Sequence, residues 1–136
     1  CTSFKVEILK GVHDFTASSG NTFNLALYTS SASLGAATTA YTTSNEVSGS
    51  GYTAKGNALT SVTPVADSTT AVCDFADTSF TSASFTARGC MIFNDSATGD
   101  PAVCIIDFGS DKTVTSGTFT IQFPAADASN AIVRIA

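Results

Sequence analysis

Apolar and polar residues alternate in short runs along most of this chain. Phe4, Val6 and Ile8 alternate with Lys5 and Glu7, and the run closes at Lys10-Gly11. A period of two puts successive side chains on opposite faces, which predicts a half-buried strand. Phe23, Leu25 and Leu27 alternate with Asn24 and Ala26 and predict a second. Between residues 29 and 56 the pattern dissolves into one long excursion rich in Ser, Ala and Tyr, with a short helix allowed within 33–42.

Regularity returns at residues 58–65, where Leu59 alternates with hydroxyls before Pro64, and at 69–75, where Ala71, Cys73 and Phe75 share a face. Residues 83–94 form a longer run with Arg88-Gly89 at its middle, a place for a bulge because Gly loosens the ladder. Asn94 to Pro101 is dense with turn formers. It predicts a hairpin between 87–93 and 102–108, both nearly all apolar and so central to the core. Gly109-Ser110-Asp111-Lys112 reads as another turn. Residues 118–123 point Phe119, Ile121 and Phe123 inward, and 131–136 close the chain. About eight strands at short intervals predict an all-β, single-domain antiparallel sandwich of jelly-roll type spanning 1–136. Residues 1–10 are an arm or edge strand, and 29–56 form an ordered long loop.

Composition sharpens this picture. Thr, at 21, and Ser, at 18, together make 39 of 136 residues, while only 12 % are charged and 43 % are hydrophobic. Polarity carried by hydroxyls suits strand surfaces, since the branched Cβ of Thr packs on a pleat. The net charge is −5. The cations Lys5, Lys10, Lys55, Arg88, Lys112 and Arg134 are scattered, so no basic stripe exists to hold a nucleic-acid backbone. No apolar run approaches the ~20 residues of a spanning helix, so no membrane partner is expected.

Cys73, Cys90 and Cys104 lie in apolar, strand-like runs without Cys-x-x-Cys spacing. Buried free thiols behave as small hydrophobes and fit a reducing compartment. Cys1 is read as an N-terminus left by Met removal, in preference to a lipidated one.

A catalytic constellation is hard to assemble. His13 is the only imidazole, and Asp14 beside it points to the opposite face of a strand. No Gly-x-Ser-x-Gly elbow supports a hydrolase triad. Asp107-Phe108-Gly109 carries the letters of a kinase motif without the rest of a kinase. The run Gly51 to Asn57 places Asn where a phosphate loop needs Lys. The pairs Asp74/Asp77, Asp95/Asp100 and Asp107/Asp111 have the makings of glycosidase or calcium chemistry, but Asp at a strand end ordinarily caps a turn. Asn94-Asp95-Ser96 is a glycosylation sequon, relevant only in a eukaryotic secretory setting. No enzyme activity, cofactor or metal is expected.

Several phrases, taken together, carry a resemblance. They are Leu25 to Ala32, Tyr41-Thr42-Thr43, Asn45 to Ala54, Asp74-Phe75-Ala76-Asp77, Ala87-Arg88-Gly89-Cys90, Asp107 to Lys112, and Phe119 to Ala136. With them the chain, from about Phe23 onward, resembles the small β-rich virion proteins of tailed bacteriophages, of the capsid cement or decoration type. The resemblance implies a homotrimer on the capsid exterior, made in the host bacterial cytoplasm, whose partner is the major capsid protein. It also fits free thiols, the cysteines standing where small apolar residues are expected. Interface residues are then expected among Phe4, Val6 and Ile8, by strand addition to a neighbour, and among Tyr28, Tyr41 and Tyr52 of the long loop region. The alternative is a tail or fibre component whose three tyrosines bind a host surface glycan.

Overall fold

The computed structural model describes residues 1–136 and contains one helix and seven strands: α1 (Thr2–Leu9), β1 (Phe23–Tyr28), β2 (Asn57–Ala58), β3 (Ser61–Asp67), β4 (Thr70–Phe75), β5 (Thr78–Asn94), β6 (Ala102–Ile121) and β7 (Val133–Ile135). They form an all-β sandwich of two antiparallel sheets, one ordered β2-β1-β5-β6 and the other β3-β4-β7. Side chains of both sheets meet in a shared core. Phe23, Leu25, Leu27, Cys90 and Ile92 from the first face Cys73 and Phe75 from the second.

The hairpin at the centre is the one the sequence predicts. Gly89 to Phe93 of β5 pair with Asp107 to Ala102 of β6 around the turn at residues 95–101. The expected bulge at Arg88-Gly89 is present, and it is larger than a single residue. Ala87 pairs with Lys112 and Gly89 with Asp107, so two steps along β5 face five along β6. The extra residues include Gly109, with φ +77. The stretch from Gly109 to Lys112 is therefore a bulge within one long strand, and the runs 102–108 and 118–123 are continuous. A turn reverses a chain only if the two arms pair with each other; here both arms pair with β5 instead.

Residues 1–10 depart from expectation most clearly: they form no strand. Thr2–Leu9 is helical, and Lys10-Gly11 is its C-cap. The amide of Gly11 donates to Ile8 O and that of Val12 donates to Glu7 O, with Gly11 at φ +68. This is the Schellman arrangement, which needs a left-handed residue just past the helix. Phe4 and Ile8 pack against the core from one side of α1, as residues four apart do on a helix, while Val6 is turned to solvent.

Strand β1 also differs from a half-buried strand, since all six of its residues are buried. Ala26 and Tyr28, on the face away from the inter-sheet core, join Met91, Phe93 and Ala102 in a second cluster. Ala32, Leu34 and Tyr41 of the 29–56 segment cover that cluster. Gly56, at φ +64, lets the segment return directly over β1, where a Cβ would stand 1.8 Å from Leu25 O.

Phe23 ties the layers together. It is fully buried and its ring stacks on Phe15 at 4.3 Å, with Phe75 of the other sheet at 5.7 Å. Phe23→Ala is expected to cost about 3–5 kcal/mol, the range for an aromatic deleted from a closed core. Urea unfolding of the two proteins measures it; a loss below about 1 kcal/mol would mean that the site collapses freely.

Candidate functional site

The densest polar cluster lies where the 29–56 segment crosses β1. Residue 46 forms a single bridge with Tyr28, and Val47 N donates to Leu27 O, so Glu46 is pinned beside the strand. Its carboxylate accepts from the Tyr41 hydroxyl at 2.6 Å, the Tyr52 hydroxyl at 2.7 Å and the Lys55 amide at 2.7 Å. The Tyr52 oxygen in turn accepts from Leu27 N at 2.9 Å. The Tyr28 hydroxyl donates to Thr42 O at 2.7 Å. Lys55 extends the network outward, its Nζ holding Asp95 at 2.6 Å and Asp100 at 2.8 Å while lying 5.6 Å from the centre of the Tyr41 ring.

Burial and the Glu46 hydrogen bond push the Tyr41 phenol up to about 12. Burial raises Tyr52 and Tyr28 further, with Glu46 adding to both shifts. Hydrogen bonds to Asp100 and Asp95 push Lys55 up to about 12. The arrangement holds its protons tightly and donates its hydroxyls inward, so it is a clamp on the loop rather than an acid–base centre.

The three tyrosines expected at an interface or a sugar-binding face lie on two different sides of the sheet. Tyr52 packs on Phe80 and Phe85 in the inter-sheet core, whereas Tyr28 and Tyr41 lie on the other face of the sheet, Tyr41 stacked on Phe93. Tyr28 is buried, and Tyr41 and Tyr52 are half-buried with their hydroxyls turned to Glu46. Phe4, Val6 and Ile8 likewise do not present one face of an arm, because the helix separates Val6 from the other two.

The second cluster surrounds His13, whose side chain is fully enclosed. Its Nε2 lies 2.9 Å from Glu7 of α1, and its Nδ1 lies 3.2 Å from Asn94 Nδ2. Asn94 Oδ1 accepts from the amides of Ser96 and Ala97, which fixes Nδ2 toward His13 and Asn21. The imidazole therefore accepts at Nδ1 and donates from Nε2 to Glu7, docking α1 onto the β5–β6 turn. Asn94 is wholly buried, so the sequon has no accessible acceptor nitrogen.

The paired aspartates serve the chain itself. Asp95 and Asp100 share Lys55; Asp107 holds Arg88 and the Gly109 amide, and Asp77 accepts from Phe123 N. Asp74 is buried, with Oδ1 on the Phe75 amide and Oδ2 without a protein partner, and burial raises its carboxyl above the usual range. No group of three or more His, Cys, Asp or Glu stands close enough to hold a metal ion. All four cysteines are free; burial pushes the Cys73 thiol up to about 12 and Cys104 to about 11. No helix is long and apolar enough to cross a membrane.

The Glu46 clamp escapes sequence reasoning, although a lone Glu in a charge-poor loop between two tyrosines is the signal that marks it. No protein family's profile matches the chain, and no curated protein or solved structure matches it.

Two outcomes follow from the clamp. Glu46→Ala leaves three donors without their acceptor, and a loss of about 2–4 kcal/mol is expected, together with faster protease cleavage within 29–56. Cleavage and stability equal to wild type would show that the loop is held by its apolar contacts alone. In the unfolded chain tyrosine ionises near 10, below folded Tyr41 at about 12. The unfolded state therefore releases protons first as the solution turns alkaline. Burial holds Cys73 at about 12 and Cys104 at about 11, against ~8.5 for a free thiol, so these two act in the same direction at lower pH. Stability should begin to fall above pH ~8.5 and fall more steeply between ~10 and ~12, where Tyr41 and Lys55 add to the loss. Denaturation midpoints against pH, with phenolate absorbance read in parallel, check this.

Proposed function

We propose that this protein is a non-catalytic structural component of a tailed-phage virion, a capsid cement protein that binds the lattice of the major capsid protein on the head exterior. The observation that carries the reading is the set of family-like phrases running from about Phe23 to the C-terminus. They coincide with β1, the Glu46-bearing loop, β4, the β5–β6 bulge and the end of the chain. The polar groups best suited to chemistry hold the protein's own loops and helix, which fits a part built to endure. A hydroxyl-rich, charge-poor surface suits a molecule that acts by packing beside many copies of itself, since each bound copy stabilises only the assembled shell. In this reading the protein is made in the bacterial cytoplasm, consistent with four free thiols, and assembles as a homotrimer without cofactor.

Cryo-electron microscopy of purified virions tests the reading. Density fitting this sandwich is expected on the outer face of the head at regular lattice positions. Density for the chain only in the tail, or none in the particle, overturns it.

A further inference from the structure

The surface exposes five large apolar side chains. Val6, Leu9 and Ile135 belong to α1 and β7, and Val62 and Val65 belong to β3. Strands β3 and β7 are the two edges of the same three-stranded sheet, so the exposed apolar residues gather at opposite sides of the molecule.

The first side is concave. A trough of about 430 Å³ opens between α1, the start of β6 and β7, lined by Phe4, Ile8, Leu9, Val103, Ile132 and Ile135. Through Ile132 it continues into a second apolar groove of about 550 Å³ beneath Phe108, Phe119 and Phe123. Lys5 and Arg134 line the first and Lys112 the second, and no carboxylate lines either. The guanidinium of Arg134 donates to backbone carbonyls of Ala128 and Ser129. Lys5 and Lys112 make no ion pair. This is a cationic rim on a chain whose net charge is −5.

The second side is the β3 edge, exposed along most of its length. The bulge between Val62 and Val65 sets Val62 opposite Asp74 and Val65 opposite Val72. Asp74 and Val72 are two apart on β4 and share a face, so the bulge turns both valines to the same side. Asp67, two residues beyond Val65, lies on that side too, and β3 carries no cation. Pro64 and the bulge deny β3 a regular outer ladder, so its contact is made through side chains.

We propose that copies of this chain associate head to tail, the β3 edge with Val62, Val65 and Asp67 seating on the α1–β7 trough of the next copy. Charge selects this occupant. Trough against trough brings Lys5 and Lys112 toward their own symmetry mates, a like-charge arrangement that costs free energy. The β3 edge brings valines to an apolar floor and a carboxylate to a cationic rim. Such a contact joins different patches of identical subunits and closes into a ring where its rotation permits. The inference rests on the reading that the protein assembles with itself and is independent of where in a virion it sits.

Sedimentation velocity of the purified full chain at roughly 100 μM, where a micromolar contact is saturated, tests it. Wild type is expected to associate. Val62→Lys with Val65→Lys, and separately Leu9→Glu with Ile135→Glu, are each expected to sediment as monomers. An equimolar mixture of the two should form a 1:1 dimer, because one variant keeps its trough and the other its β3 edge. That recovery also shows that both variants are folded. Where the lysine pair prevents folding, Val62→Thr with Val65→Thr keeps the strand and is expected to weaken association at least tenfold. A monomeric wild type, a double variant that associates like wild type, or a mixture that stays monomeric beside an associating wild type overturns the inference. Binding of the monomeric variants to heads, measured separately, bears on the capsid reading alone.

Discussion

A strand buried on both faces needs two covers, and the architecture of this protein follows from supplying them to β1. Its six residues are all enclosed. One face is covered by the second sheet, through Phe75 and Cys73, and by Phe15. No third sheet exists to cover the other, so the 29–56 segment does it with Ala32, Leu34 and Tyr41. A loop used as a wall must be held still, and irregular backbone has few internal hydrogen bonds with which to hold itself. Glu46 meets that need. One carboxylate gathers two phenols and an amide, fixing three points of the segment above β1. Three isolated bridges, Tyr28 with Glu46, Ala40 with Pro101 and Ser50 with Ser84, tie the same segment to the sheet.

The same logic explains why α1 is docked by a polar contact. Phe4 and Ile8 reach the core, but Leu9 and Val6 do not. A helix of eight residues is too short to be stable on its own. The bond from His13 to Glu7 fastens it at a second point, and Asn94 holds the imidazole from behind. Asn94 thus joins three pieces distant in sequence: the turn after β5, the Val12–His13 segment and Asn21.

Strands whose neighbours are other strands were legible in the chain. The alternation of 118–123 and the apolar runs flanking Asn94 to Pro101 report local burial, and burial there is set by regular pairing. Two things were not. The period of Phe4, Val6 and Ile8 fits a strand, yet Phe4 and Ile8 are also four apart and Gly11 stands where a helix cap needs it; over eight residues the two periods compete, and the capping geometry decides. Likewise Ala26 looks like an outward position because nothing in β1 itself reveals that Ala32, Leu34 and Tyr41 of the following segment will cover that face. The clamp was hidden for the same reason. Tyr28 at the end of β1 with Tyr41 and Tyr52 in the charge-poor segment after it suggest a binding face, and only the position of Glu46 shows that two of their hydroxyls converge inward on one carboxylate.

Sandwiches leave edges, and the treatment of each edge here is different. β6 is the long one, with its outer side unpaired through most of its length. The bulge opposite Arg88 breaks it in two, and Lys112 stands at the break; both devices discourage a neighbouring strand from zipping along it. β3 is interrupted by Pro64 and its own bulge. β7 has only three residues. At the fourth edge β2 has only two residues, so regular strand addition is disfavoured at all four edges of these Thr-rich, weakly charged sheets. What the edges retain is apolar side chain, Val62 and Val65 on one and Ile135 on another. Association through such residues is governed by shape and by the few nearby charges, so it can be specific where a backbone ladder would be indiscriminate. The bulge that disrupts the ladder at β3 also turns its two valines to one side, so one backbone irregularity both disfavours strand addition and gathers apolar side chains on the edge.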